Sequence, residues 1–154
     1  MSAAPAPERT AIHALVARAR AGDARVIASV PSGWAVFGER QFVYGYVLLL
    51  PDPVVPDING LGVPERGQFL LDMTRIGDAL LKVSGALRIN YAIFGNLEPA
   101  LHAHIVPRYA DEPPALRTQH PWAYDWDAAQ LFDPRTHGDL AVALRGALAR
   151  HGAR

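Results

Sequence analysis

The sequence predicts an α+β domain in which helices flank an antiparallel sheet. Apolar and polar residues alternate over several short runs, as in half-buried strands. The connections between most of those runs are of hairpin length. One long apolar stripe at helical spacing, from Phe69 to Val83, needs a sheet to bury against.

Residues 1–7, rich in Ala and Pro, are expected to be a disordered lead-in to a single domain over 8–154. Ile12, Leu15, Val16 and Ala19 recur at helical spacing and predict a short helix over 8–21, ended by Gly22. Arg18, Arg20 and Arg25 read as a solvated face. Val26–Val30, Trp34–Gly38 and Gln41–Leu50 read as strands, with turns at 31–33 and 38–40. The stretch PDPVVPDINGLGVP (51–64) holds four prolines and two glycines and predicts an ordered, extended loop.

Pro64 sits at the first turn of the next helix, where proline is tolerated. Phe69, Met73, Ile76, Leu80 and Val83 follow, and Gly85 closes the helix. The Met and the aromatic on this stripe read as core. Leu87, Ile89, Tyr91 and Ile93 then alternate with Arg88, Asn90 and Ala92, as in a strand. A tight connection, GNLEPA (95–100), leads into a strand over 101–109. Period two turns Leu101, Ala103 and Ile105 to one face and His102, His104, Val106 and Arg108 to the other. Pro107 cannot donate to a ladder, so this part of the strand is an edge or a terminus. Residues 110–135 read as loop, and Leu140, Leu144 and Leu148 predict a last helix over about 136–150. The expected sheet has five or more strands, with two or three helices.

Composition narrows the function. Half of the 154 residues are apolar and 19% are charged, enough to bury a real core. Basic and acidic residues balance at 15 each, so neither nucleic acid nor an anionic membrane is an expected partner. Without cysteine there is no disulfide, zinc-thiolate site or thiol nucleophile. No apolar run is long enough to cross a bilayer. The first residues lack the apolar core of a secretory signal, so a soluble cytoplasmic protein is expected. Walker A, G-x-G-x-x-G, H-E-x-x-H, G-x-S-x-G and EF-hand patterns are all missing.

The chemistry concentrates in PALHAHIVPRY (99–109), where two histidines share a strand face. Three readings compete. Both imidazoles are structural, satisfied by carbonyls. Or they bind a metal, with His120, His137 or Glu98 completing the ligands, although no spacing forces that geometry. Or one is a nucleophile, its second nitrogen oriented by a backbone acceptor and a phosphate held by the amides of 95–100.

The segment INYAIFGNLEPALHAHIVPRY (89–109) resembles the histidine triad (HIT) family, whose hallmark is His-φ-His-φ-His on a strand after a Gly-polar loop. GYVLLLP (45–51) is similar to the family's Gly-His-x-Leu-Val-x-Pro strand, and the helix from Pro64 falls where the family has its long helix. The resemblance spans about 26–110. It implies a HIT-like α+β fold, a homodimer and a nucleotide substrate. His102 matches the middle His, which attacks the α-phosphorus of a nucleotide, and His104 matches the third, which supports the site. Gly95 and Asn96 match the Gly-Gln pair near the phosphate, and Asn90 falls within one residue of the nucleotide-binding Asn. Ala100 replaces the first His, giving a degenerate A-x-H-x-H triad, and Tyr46 stands where many members place another histidine. Arg108 reads as structural or rim and not as catalytic. Trp122 has two readings, as a lid over the site or as a buried structural residue. Glu98 is a misfit, because a carboxylate beside a polyphosphate is repulsive.

The function implied is hydrolysis or transfer at the α-phosphate of dinucleoside polyphosphates or nucleoside phosphoramidates, through a nucleotidyl-histidine intermediate. No organic cofactor is required; a divalent metal is compatible with the pattern but not called for. The alternatives are a nucleotide-binding protein without turnover and a metal-binding module.

Overall fold

The computed structural model describes residues 9–150. The expected lead-in over 1–7 lies outside them. Five strands form one antiparallel sheet: β1 (Val26–Val30), β2 (Gly33–Phe37), β3 (Val47–Pro51), β4 (Arg88–Ala92) and β5 (Ala103–Arg108). Their order is β1-β2-β3-β5-β4, so the histidine-bearing strand lies inside the sheet, and β4 forms one edge. Four α-helices accompany them: α1 (Ala11–Arg20), α2 (Val63–Ser84), the one-turn α3 (Pro114–Arg117) and α4 (Pro134–Ala149). The α+β class is as the sequence predicts. The fourth helix is the single turn in the segment read as loop.

Each face has its own core. Leu101, Ala103 and Ile105 of the β5 region join Val47, Leu49, Ala35 and Phe37 beneath α2 and α4. Phe69, Ile76 and Leu80, three of the residues that predicted α2, are fully buried there. Each such side chain contributes about 1.5–3 kcal/mol by leaving water. The one carboxylate of this helix that is buried, Asp72, accepts from the Ser32 amide and the Gln68 side chain, both at 2.8 Å, and ties the β1–β2 turn to α2. On the opposite face, Tyr46, Leu48, Leu50, Val36 and Val106 lie beneath Ile12, Val16 and Ala19 of α1 and beside Tyr124 and Trp126.

Two strands are shorter than the sequence suggests: the one read over 101–109 starts only at Ala103, with His102 just before it, and the one read from Gln41 starts at Val47. Residues 41–46 are not extended, although Gln41–Leu50 reads as one apolar run. The buried Gln41 side chain is the reason. Its amide donates to the Gly38 and Tyr46 carbonyls, both at 2.8 Å, and accepts from the Gly45 amide at 3.0 Å. A side chain thus takes over the pairing that a ladder would supply, and a loop folds between β2 and β3. Pro107 is at a terminus, as read: β3 pairs with β5 only as far as Ile105, and Pro107 faces Ile89 of β4 alone.

Candidate active site

β5 and the residues before it bring His102 and His104 together. Their rings meet edge to face, with centroids 4.9 Å apart. His102 is buried, and its Nδ1 lies 2.8 Å from the Ala100 carbonyl oxygen. A carbonyl only accepts, so Nδ1 carries the proton, and in the neutral ring Nε2 keeps its lone pair. His104 is set the other way. Its Nδ1 is 2.6 Å from the Tyr46 hydroxyl, which has no other partner among the described residues. Burial raises the Tyr46 pKa and keeps the hydroxyl protonated, and with no other acceptor among the described residues that hydrogen goes to His104. Nδ1 of His104 is then the acceptor, and its Nε2 bears the hydrogen. Burial, and then the neighbouring His102, lower the His104 pKa to about 4, so this ring is neutral at pH 7.

Neither Nε2 has a hydrogen-bond partner among the described residues. Among the described residues the one fully buried side-chain nitrogen or oxygen without a hydrogen bond is the Ser32 hydroxyl. The pair therefore presents a lone pair beside a neutral N–H donor.

The loop before β5 supplies more donors. Gly95 has φ +115°, a conformation that side chains resist, and lets the chain turn tightly after Phe94. The Ala100 amide bonds to the Glu98 carbonyl and the Leu101 amide to that of Val55, whereas the amides of 95–98 find no acceptor among the described residues. Asn96 is exposed. The Glu98 carboxylate turns away and accepts from the Ala11 amide at 3.2 Å, at the N-terminus of α1, where a negative charge is favourable. That placement answers the misfit.

Asn90 is on the histidine face of β4, opposite Val106 and two residues from Ala92, the partner of His104. Its carbonyl oxygen is already taken, accepting from Arg108 at 2.8 Å. Arg108 is buried and pairs through Nε and Nη2 with Glu112, also buried, and donates to the Gln119 and Leu116 carbonyls. Burial alone would raise the Glu112 carboxyl, but hydrogen bonds from Arg108, Tyr124 and the Tyr109 amide outweigh it and hold its pKa below the usual value. The structural reading of Arg108 is therefore the one realised. The pair anchors the segment over 110–124.

That segment walls the site with aromatics. Trp122 meets His104 edge to face at 4.9 Å and Phe94 at 4.8 Å. Of its two readings, it covers the site and is partly exposed. Trp126 stacks on Phe42 at 3.8 Å and meets the edge of Tyr46. Phe94 and Trp122 also border an open cleft of about 650 Å³ that includes Asn90, Ala92 and His120. The partnership of Tyr46 with His104, the role of Glu112 and the aromatic wall are not visible from spacing. The apolar-aromatic richness of 121–126 was the one signal for the last.

The residues named as further metal ligands do not gather. His137 is buried against Phe37 and Phe132 on the α2–α4 face, and no group of three His, Cys, Asp or Glu residues suited to a metal occurs among the described residues.

The fold is one already seen in solved proteins. Solved histidine triad proteins share the architecture: one from Bradyrhizobium japonicum is 24% identical, with TM-score 0.70 over 79% of this chain and 88% of its own. One from Marinobacter aquaeolei is 17% identical, with TM-score 0.72 over 90% and 95%. A hypothetical histidine triad nucleotide-binding protein from Sulfolobus tokodaii is 11% identical, with TM-score 0.63 over 82% and 84%. No family model and no curated protein matches the sequence significantly. The chain has the histidine triad fold, which bears out the resemblance read from 89–109 and 45–51.

Proposed function

We propose that the chain acts on nucleotides, with His102 as nucleophile at the α-phosphorus of a dinucleoside polyphosphate or nucleoside phosphoramidate. The observation that carries this reading is the Nδ1 bond of His102 to the Ala100 carbonyl, which leaves the lone pair on Nε2 without a hydrogen-bond partner among the described residues. Attack forms an Nε2–P bond and breaks the bond from phosphorus to the leaving group. Water or another acceptor then attacks phosphorus and gives up its proton to solvent, the Nε2–P bond breaks, and its electrons return to His102. Two easier displacements replace one hard one. The free amides of 95–98, with Asn96, receive the equatorial oxygens and stabilise their developing charge. Gly95 permits that approach, and Asn90 borders the cleft beyond Ala92. The nucleotide-binding description of the Sulfolobus tokodaii neighbour points the same way.

A homodimer fits this reading. The outer edge of β4 is unpaired, and Leu87, Tyr91 and Phe94 are exposed along it. No described helix is long and apolar enough to cross a membrane.

The test is turnover of diadenosine tetraphosphate and adenosine 5′-phosphoramidate by wild type and His102→Ala, with binding measured in parallel by calorimetry. Turnover lost in His102→Ala, with binding retained, supports the nucleophile. Binding without turnover by wild type would leave a nucleotide-binding protein.

A further inference from the structure

We propose that Tyr46 sets the leaving-group selectivity of this site: by fixing His104 as a neutral Nε2–H donor it leaves no imidazolium to protonate a departing amine, so the site favours nucleotides whose leaving group departs as a stable anion. The inference rests on the nucleophilic role of His102. It concerns this chain's own substitutions, Tyr46 and Ala100, and not the fold it shares.

The lock is built into the loop between β2 and β3. The Tyr46 carbonyl is gripped by the Gln41 amide and the Gly38 amide, at 2.8 and 3.0 Å. Gly38 makes room for the ring: a Cβ there would overlap the ring carbons of Tyr46. Phe42 and Trp126 pack on the same ring, and it lies nearly parallel to His104, 9° between planes. The hydroxyl therefore has one direction and one acceptor, Nδ1 of His104. A protonated His104 would carry a hydrogen on Nδ1 facing the Tyr46 hydroxyl hydrogen, which would have to swing away about the Cζ–O bond and lose its one acceptor among the described residues.

Consider the groups that could give up a proton. His102 is the nucleophile and keeps its Nδ1 hydrogen on the Ala100 carbonyl. Ala100 holds no imidazole. Glu98 is turned to α1, and Glu112 is held as carboxylate by Arg108. The other aromatic neighbours of His104, namely Phe94, Trp122 and Trp126, do not titrate. Asn90 does not titrate either. His13, beyond Ala100 in a cavity of about 330 Å³, has its Nδ1 turned to Thr10, and His120 lines the neighbouring cleft without a described contact to either site histidine. A neutral imidazole N–H donates a hydrogen bond but does not release its proton near pH 7.

That inventory divides substrates by chemistry. When Nε2 of His102 displaces a phosphoanhydride oxygen, the bonding pair leaves with the oxygen as a phosphate-type anion, and no proton is needed. The His104 N–H can hydrogen-bond to it. When the leaving atom is a phosphoramidate nitrogen, the pair must be matched by a proton before an amine departs, and no protein group supplies it. A positioned general acid is worth about 10²–10⁴-fold.

The experiment compares kcat/KM for diadenosine tetraphosphate and adenosine 5′-phosphoramidate in the full chain, for wild type, Tyr46→Phe, Tyr46→His and the control His120→Gln. Wild type is expected to prefer the anhydride by about a hundredfold or more. Tyr46→His, which offers a titratable partner, should narrow that preference by about tenfold, and His120→Gln should leave it unchanged. Imidazole ¹⁵N spectra of the free protein give a reading independent of turnover. They should show His104 as the neutral Nε2–H tautomer down to about pH 5 in wild type, and a shifted tautomer balance in Tyr46→Phe. Equal or better use of the phosphoramidate by wild type overturns the inference, as does a His104 that titrates near its ordinary value or a preference that His120→Gln abolishes. Absence of turnover on both substrates, with the tautomer as expected, sinks the nucleophilic reading and the selectivity with it, and leaves the Tyr46–His104 bond standing.

Discussion

On one face of the sheet, Leu101, Ala103 and Ile105 lie under α2 and α4 among aliphatic and aromatic side chains, with Asp72 and His137 each hydrogen-bonded locally. On the other face, one residue along the same stretch of chain, His102, His104 and Arg108 share their surroundings with Glu112, Tyr46 and two tryptophans. The first face gains its stability from burial, which depends on volume and area. The second depends on which donor meets which acceptor, and a wrong partner there leaves a polar group stranded. The same strand therefore carries a core that tolerates substitution by shape and a site that does not tolerate substitution by chemistry.

The contrast is broken most severely at the Arg108–Glu112 pair. Arg108→Ala strands a buried carboxylate and should cost about 3–5 kcal/mol in denaturant unfolding. Because Arg108 also holds the Leu116 and Gln119 carbonyls, tryptophan emission should shift to the red as Trp122 and Trp126 gain water. Replacing both partners, as Arg108→Met with Glu112→Leu, should cost clearly less than the single change. On the opposite face, Leu80→Ala should cost about 2–5 kcal/mol through lost burial and a cavity, with the tryptophan emission of the native state unchanged.

A smaller effect separates the faces by pH. The unfolded chain protonates His104 near 6.5, the folded chain only near 4. The stability that follows is fully present above pH 6.5 and is lost as the pH falls towards 4, up to about 3 kcal/mol. Carboxylates titrate in the same window, so the readout is a difference: His104→Gln should show a shallower loss between pH 7 and 4.5 than wild type. Smaller again is Gly38→Ala, which pushes the Tyr46 ring off its bed at a cost of about 1–3 kcal/mol, and which should loosen the His104 tautomer in the same ¹⁵N spectra.

The legibility of the two faces in the sequence follows the same divide. The period of Phe69, Ile76 and Leu80 placed α2, and the alternation in 101–108 turned the histidines away from the core, because burial is periodic and local in sequence. The end of β2 and start of β3 were misjudged because the Gln41 side chain closes a loop inside an apolar run. Asn90 was legible as a polar strand residue within one position of the nucleotide-binding Asn that the resemblance implies, but neither as a residue on the histidine face nor as a partner of Arg108, since both depend on the strand register between β4 and β5. Trp122 was legible as a lid or a buried residue, but the wall it makes with Trp126 was not, for a related reason. Its placement follows from Glu112 gripping Arg108, and nothing in the spacing of 110–135 announces that pairing.

The central claim is that His102, held by the Ala100 carbonyl, is a nucleophile and not a buried structural histidine. Rapid quenching of wild-type protein mixed with diadenosine tetraphosphate, followed by peptide mapping by mass, tests it most directly. The account predicts a transient adenylyl adduct on His102 that decays as product appears and is missing in His102→Ala. Product formed with no adduct at any time, or an adduct mapped to His104 or His120, would contradict it.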